Sequence, residues 1–168
     1  MTAGRTRARL WVHDRSGSAA IEFAMIAPIF VGLLVAIFEI GLVFFAGQTL
    51  ETGAADAARL VMTGQAQKMT VDQFKAALCP KISMLFDCNQ ISVDIRAFDI
   101  TPTIPPAIVA GKLTTDLSFQ TGSAGQIVVV RVFYQWPLLV TGLGFDASNL
   151  AGNKRLLTAT ASFRNEPF

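Results

Sequence analysis

Hydrophobic and polar positions change their spacing several times along this chain. From Ala19 to Ala46 the run is almost wholly apolar, interrupted only by the charges Glu22 and Glu39. At about 1.5 Å of helical rise per residue, such a run outlasts the roughly 30 Å hydrocarbon core of a bilayer. The pattern predicts a membrane anchor helix over residues 18–47. After Gln48 the apolar positions thin to a single stripe. Leu50, Ala54, Ala57, Ala58, Val61 and Met62 recur at helical steps, with Glu51, Asp56 and Arg59 between them. The helix is therefore expected to continue to about residue 63 with an amphipathic second half. Gly64 stands where a left-handed C-terminal residue would end it.

Thr70-Val71-Asp72-Gln73 then has the form of a capping box, with Phe74, Ala77 and Leu78 on one face of a second helix. Pro80 is expected to interrupt or end that helix. Beyond it the period drops to two. Ile91, Val93, Ile95 and Ala97 alternate with Ser92, Asp94 and Arg96, as in a half-buried strand. The proline-rich stretch 101–110 reads as a loop, and the alternation from Leu113 to Gln120 as a second strand. Thr121 to Gly125 is a turn. Ile127 to Tyr134 is apolar apart from Arg131, so it belongs at the centre of a sheet and should stop at Pro137. Gly142, Gly144 and Gly152 mark a further loop, and Leu157, Ala159, Ala161 and Phe163 a last strand. Short connections favour antiparallel pairing. The fold class is α+β: a long N-terminal helix, spanning a membrane in its first half, packed in its second on a small antiparallel sheet.

Composition sharpens this in one respect. Hydrophobic residues make up 52% of the 168, an excess concentrated in the anchor. The net charge of +2 is also unevenly spread: Arg5, Arg7, Arg9 and Arg15 face only Asp14 before residue 17, and ten basic against eleven acidic side chains follow. Clustered arginines ahead of a membrane helix hold that end in the cytoplasm. The arm is short and lacks the interleaved aromatics of a nucleic-acid binder, so no nucleic-acid partner is expected. The domain following the anchor, residues 48–168, then faces the periplasm of a bacterium, with residues 1–17 a basic cytoplasmic leader. The apolar run is too long for a cleaved secretory signal, and no small-residue cleavage site follows it closely. Pro28 lies inside the span; it is either a tolerated membrane proline with a bend near Ala24 or a weak point that lets the helix change partners.

Cys79 and Cys88 are the only cysteines. In an oxidising compartment a disulfide is the natural reading; the rival, a metal site, needs more ligands, and the single histidine, His13, lies on the opposite side of the membrane. No metal or other cofactor is expected. Neither a P-loop, a GxSxG elbow nor an HExxH helix occurs. Asp94, Asp99 and Asp116 read as solvated carboxylates, and Tyr134 with Trp136 as packing aromatics on one strand face. The expectation is a protein that is not an enzyme.

The entrance to the anchor carries the most specific pattern. Gly17-Ser18-Ala19-Ala20-Ile21-Glu22-Phe23 resembles the site cut by prepilin peptidases, a glycine followed five positions later by glutamate and then an apolar helix. With Pro28, Glu39, Ala57-Ala58-Arg59, Gly64, Gly125, Val128 to Val132 and the terminal Arg164-Asn165-Glu166-Pro167-Phe168, the chain resembles TadE-like pseudopilins of the tight-adherence (Tad/Flp) pilus system. The resemblance implies a minor pilin-like subunit without catalytic activity, held in the inner membrane and needed to assemble a Tad pilus used in adhesion. It also implies processing by a prepilin peptidase at Gly17, Ser18, Glu22 and Phe23, and contacts with other Tad pilins, pseudopilins and platform proteins. By the same resemblance, the ammonium freed at Ser18 pairs with Glu22 of a neighbouring subunit, each charge offsetting the other where either alone is costly. The simpler reading of Glu22 is a wet charge in the headgroup region. The competing role for the whole chain is an uncleaved, membrane-anchored periplasmic adaptor of the Tad secretion machinery, binding its partner through the stripe 48–63.

Overall fold

The computed structural model describes residues 17–140 and 146–168. The basic arm, with its four arginines and His13, and the loop glycines Gly142 and Gly144 lie outside those residues. The chain divides into two compact units, one ending at Phe38 and one starting at Glu39. Helix α1 (Ser18–Met62) belongs to both and passes through Pro28 without a break in its assignment. It is long and apolar enough to be a candidate membrane span. In the first unit its large side chains, from Ile21 to Phe38, are mostly exposed on all sides.

In the second unit the architecture is α+β. Helix α1 ends where its carbonyls find other partners. The Met62 carbonyl accepts the Glu166 amide at 3.0 Å, and Gly64 turns left-handed at φ 75°. A side chain at Gly64 would also meet the ring of Phe168 at 2.5 Å, so close approach and backbone conformation both select glycine. A short 3-10 turn (Gln65–Lys68) leads to helix α2 (Val71–Ile82). Its capping box forms in full: Thr70 Oγ1 accepts from the Gln73 amide and Gln73 Oε1 from the Thr70 amide. Contrary to the sequence expectation, Pro80 does not end α2, which continues to Ile82.

Strands β1 (Ser92–Phe98), β4 (Ile127–Pro137) and β5 (Lys154–Arg164) form one antiparallel sheet in the order β1-β4-β5. The apolar β4 is central, as its composition demands. Val128, Val130, Val132 and Tyr134 face Leu50, Ala54, Ala57, Val61, Phe74 and Leu78 of the helices in one core. The opposite face buries Phe133 with Leu150 and Leu156 in a smaller cluster. Every apolar member of the α1 stripe except Met62 is thus buried against the protein's own sheet and α2. That removes the stripe as a docking surface for an adaptor.

One loop reading and one strand reading need correction. The stretch 101–110 contains β2 (Ile108–Val109), which pairs with β3 (Lys112–Leu113) across Ala110 and Gly111. Both turn residues have positive φ, 51° and 72°, the conformation that suits a two-residue hairpin. Conversely, the alternating segment 113–120 does not form the expected strand. Thr114 accepts the Asp116 amide on its hydroxyl at 3.1 Å, taking a donor that a ladder would need. Leu113 belongs to the β2–β3 hairpin, and beyond it only Phe119 makes a bridge, parallel to Ile95.

Asp94 is also not solvated. It is 1% exposed and accepts two bonds from Arg131, at 2.6 and 3.0 Å, its direct partner across the β1–β4 register. Arg96 adds a bond to Asp94 at 3.0 Å and an ion pair to Asp116 at 3.0 Å. Partial burial alone would lower the Arg96 pKa, but its bonds to Asp116 and Asp94 and their charges raise it. Arg131 also donates to the Pro105 carbonyl at 2.8 Å, tying the proline-rich loop to the sheet. Cys79, on α2, and Cys88 are joined by a disulfide with Cα atoms 5.8 Å apart. Tyr134 and Trp136 both pack edge-on against Phe86.

Candidate functional site

The predicted processing residues occupy the start of α1. Gly17 is the turn residue before the helix, and its carbonyl accepts the first helical bond, from the Ile21 amide at 3.2 Å. Ser18 is the first helical residue. Its hydroxyl donates to the Glu22 carboxylate at 3.0 Å, because positions four apart share a helix face. Ser18, Glu22 and Phe23 are all exposed. Nothing lies within 4 Å of where a Cβ at Gly17 would stand, and its φ is not in the left-handed region. The described fold therefore places no demand for glycine at this position.

This arrangement puts the Gly17–Ser18 peptide bond at the junction between the preceding segment and the helix, with a carboxylate one helical turn further on. Chemically it offers an accessible bond and a negative charge adjoining a helix N-terminus, where the backbone dipole favours anions. Among the described residues no cluster of three or more histidine, cysteine or acidic side chains could hold a metal. The pairing proposed between subunits has no counterpart in a single chain; what the structure does contain is the Ser18–Glu22 bond within one helix.

The second carboxylate of the apolar run has a setting that sequence reading missed. Glu39 accepts hydrogen bonds from the backbone amides of Leu139 and Val140, the latter at 3.0 Å. The available signal was the apolar Leu138-Leu139-Val140 run directly after Pro137, which is unusual for a loop.

Residues 17–59 match the model of the family described as TadE-like protein. Over that segment the chain is similar to TadE-like proteins. The match begins at Gly17 and takes in Ser18, Glu22, Phe23, Pro28, Glu39 and the Ala57-Ala58-Arg59 run. The matched segment covers all but the last three residues of α1, while the sheet lies beyond it. No curated protein and no solved structure matches the chain. Gly64, the β4 valines and the terminal Arg164 to Phe168 lie outside the matched residues. Part of their role is visible in the fold: Asn165 Nδ2 donates to the Thr121 carbonyl at 2.9 Å, pinning the 121–125 turn to the end of β5, and Phe168 covers Gly64.

Proposed function

We propose that this chain is a TadE-like pseudopilin: a minor, non-catalytic subunit required for assembly of a Tad/Flp pilus involved in adhesion. In this reading α1 spans the inner membrane once, with the arginine arm in the cytoplasm and the α+β domain in the periplasm. A prepilin peptidase cuts between Gly17 and Ser18, and the subunit then meets other Tad pilins and the platform proteins of the machinery. The observation that carries the reading is the TadE-like match starting at Gly17, whose Cβ position meets nothing within 4 Å among the described residues. A glycine with open space around it and a scissile bond at a helix start fits selection by an enzyme's subsite.

Charge chemistry supports a role for the new terminus. Cutting creates an ammonium at Ser18, at the end of a helix that begins in or near low dielectric. Glu22 already lies on the Ser18 face, as their 3.0 Å bond requires. A neighbouring subunit's ammonium would give this carboxylate a partner of opposite charge where a lone charge is expensive. The test is mass spectrometry of the protein from cells with and without the prepilin peptidase. A mature chain beginning at Ser18 only when the peptidase is present is expected; an intact leader in normal cells would remove the processing claim. Glu22→Ala should leave cutting intact and abolish piliation, and normal pili in that variant would return Glu22 to the role of a wet boundary charge.

A further inference from the structure

Glu39 sits inside the apolar stretch rather than at its end. Beyond it, towards the folded domain, Ile40, Leu42, Phe44 and Phe45 are all exposed. That exposed run extends about 9 Å further along the helix axis. A bare carboxylate at such a position would be costly in lipid, and so would two backbone amides without acceptors. The structure brings these together. Leu138 is buried and fixed by its amide to the Asn153 carbonyl at 2.9 Å. The next two amides then converge on the Glu39 carboxylate. This leaves the Leu139 side chain 84% exposed, beside the apolar part of the helix. In water neither the carboxylate nor the amides would need one another, and a leucine would gain nothing from projecting there.

We propose that Leu139, held by the clasp between Glu39 and the Leu139–Val140 amides, is a second membrane-inserted element, dipping into the acyl chains of the outer leaflet beside α1. The proposal rests on α1 spanning a bilayer. It gives the domain two points of attachment, the helix and the Leu139 tip, and so restrains rotation of the domain about the helix axis. The occupant is lipid because the exposed leucine is held at Glu39, where the helix goes on with the exposed Ile40, Leu42, Phe44 and Phe45, and because the clasp satisfies polar groups in the way a water-free setting demands.

The experiment uses the full chain in phosphatidylcholine vesicles, with bromine quencher atoms placed either high or deep on the acyl chains. Leu139→Trp and Phe30→Trp are compared with the parent chain, whose own tryptophans set the background. Both substituted positions are exposed, so folding is not at risk. The expected result is that shallow bromines remove most of the emission added by Leu139→Trp, and deep ones most of that added by Phe30→Trp. Quenching at position 30 without quenching at position 139 overturns the proposal while leaving the spanning helix in place. Blue-shifted but unquenched emission from position 139 means another protein copy covers the tip, and also overturns it. Quenching at neither position removes the spanning reading and the proposal together. Glu39→Ala added to Leu139→Trp should restore most of the lost emission; undiminished quenching in that double variant overturns the role of the clasp.

Discussion

The unit ending at Phe38 and the unit starting at Glu39 share one helix but use its side chains in opposite ways. In the first, Ile21, Phe23, Met25, Ile29, Phe30 and Phe38 are exposed, with no core around them among the described residues. In the second, the helix buries small residues: Ala46, Gly53, Ala54, Ala57 and Ala58, with Leu50 and Val61 as the larger exceptions. Large side chains cover the helix where its own chain leaves it bare, and small ones line it where α2 and the sheet must come close. Hydrophobicity alone does not separate these regions. Residue size and the spacing of polar positions do, because a lipid-facing surface has no periodicity to keep and a packed surface must fit its neighbours.

The comparison breaks most visibly at the buried Asp94–Arg131 pair in the second unit's sheet. Asp94→Ala leaves the buried Arg131 uncompensated and is expected to cost about 3–5 kcal/mol. Replacing both partners together, Asp94→Leu with Arg131→Met, should recover most of that loss. Ile29→Ala in the first unit, at an exposed position, should move stability by less than about 0.5 kcal/mol. Urea unfolding of the full chain in micelles, followed by Trp136 fluorescence, measures all three. Equal losses from Asp94→Ala and Ile29→Ala would dissolve the distinction between the units. Next in size is the disulfide. Cys79→Ala with Cys88→Ala opens a loop of about ten residues and is expected to cost roughly 2.5–3 kcal/mol on the chain-entropy estimate. An unchanged midpoint would mean that α2 is held by packing alone.

Most of the fold was legible in the sequence because its signals were local. The capping box at Thr70 and Gln73, the glycine turn at Gly64, the apolar β4 and the alternation of β1 each state their structure within a few residues. The misreadings mostly share a cause: the deciding partner lies far away in sequence. Segment 113–120 alternates like a strand, but Arg96, twenty positions away, takes the Asp116 carbonyl and Asp94, twenty-four away, the Ser118 amide. Asp94 reads as a surface residue until Arg131, thirty-seven positions on, is seen beside it. Pro80 is the local exception: it reads as a helix stop, yet α2 carries it within its last turn and continues to Ile82. At the candidate site the glycine, serine and glutamate were visible as a motif. The clasp at Glu39 was not, since its donors come from a loop a hundred residues later.

Within the second unit the same contrast between bare and packed helix is drawn by one substitution at two places on α1. Gly53→Val drives a branched side chain into Ile82, whose Cγ2 would lie 2.6 Å from the new Cβ. Ile82 is fully buried and branched, so it has little room to yield. Overpacking of this kind costs about 1–3 kcal/mol. Gly41→Val meets nothing within 4 Å and should leave the unfolding midpoint in place. Two equally destabilised variants would show that the helix is packed along its whole length.

The smallest effect is a pH dependence carried by the second unit. Asp87 accepts from the Asn89 amide at 3.0 Å and from the Gln90 side chain at 3.1 Å, and these bonds hold its pKa below the usual 3.8. A lowered folded-state value means the carboxylate favours the native state once it is ionised. That contribution is present above the unfolded-state pKa and disappears as pH falls through the folded-state one. Asp87→Asn keeps an acceptor for the Asn89 amide but has no charge to titrate. The variant should therefore be slightly less stable than the parent at neutral pH, with the gap closing as the solution is acidified past the ordinary carboxylate range. Asp146, lowered by the Ser148 amide in the same way, should behave alike on substitution to Asn. Urea midpoints collected across that pH range decide the matter: a gap that widens on acidification would mean that these bonds favour the protonated acid, reversing the sign argued from the geometry.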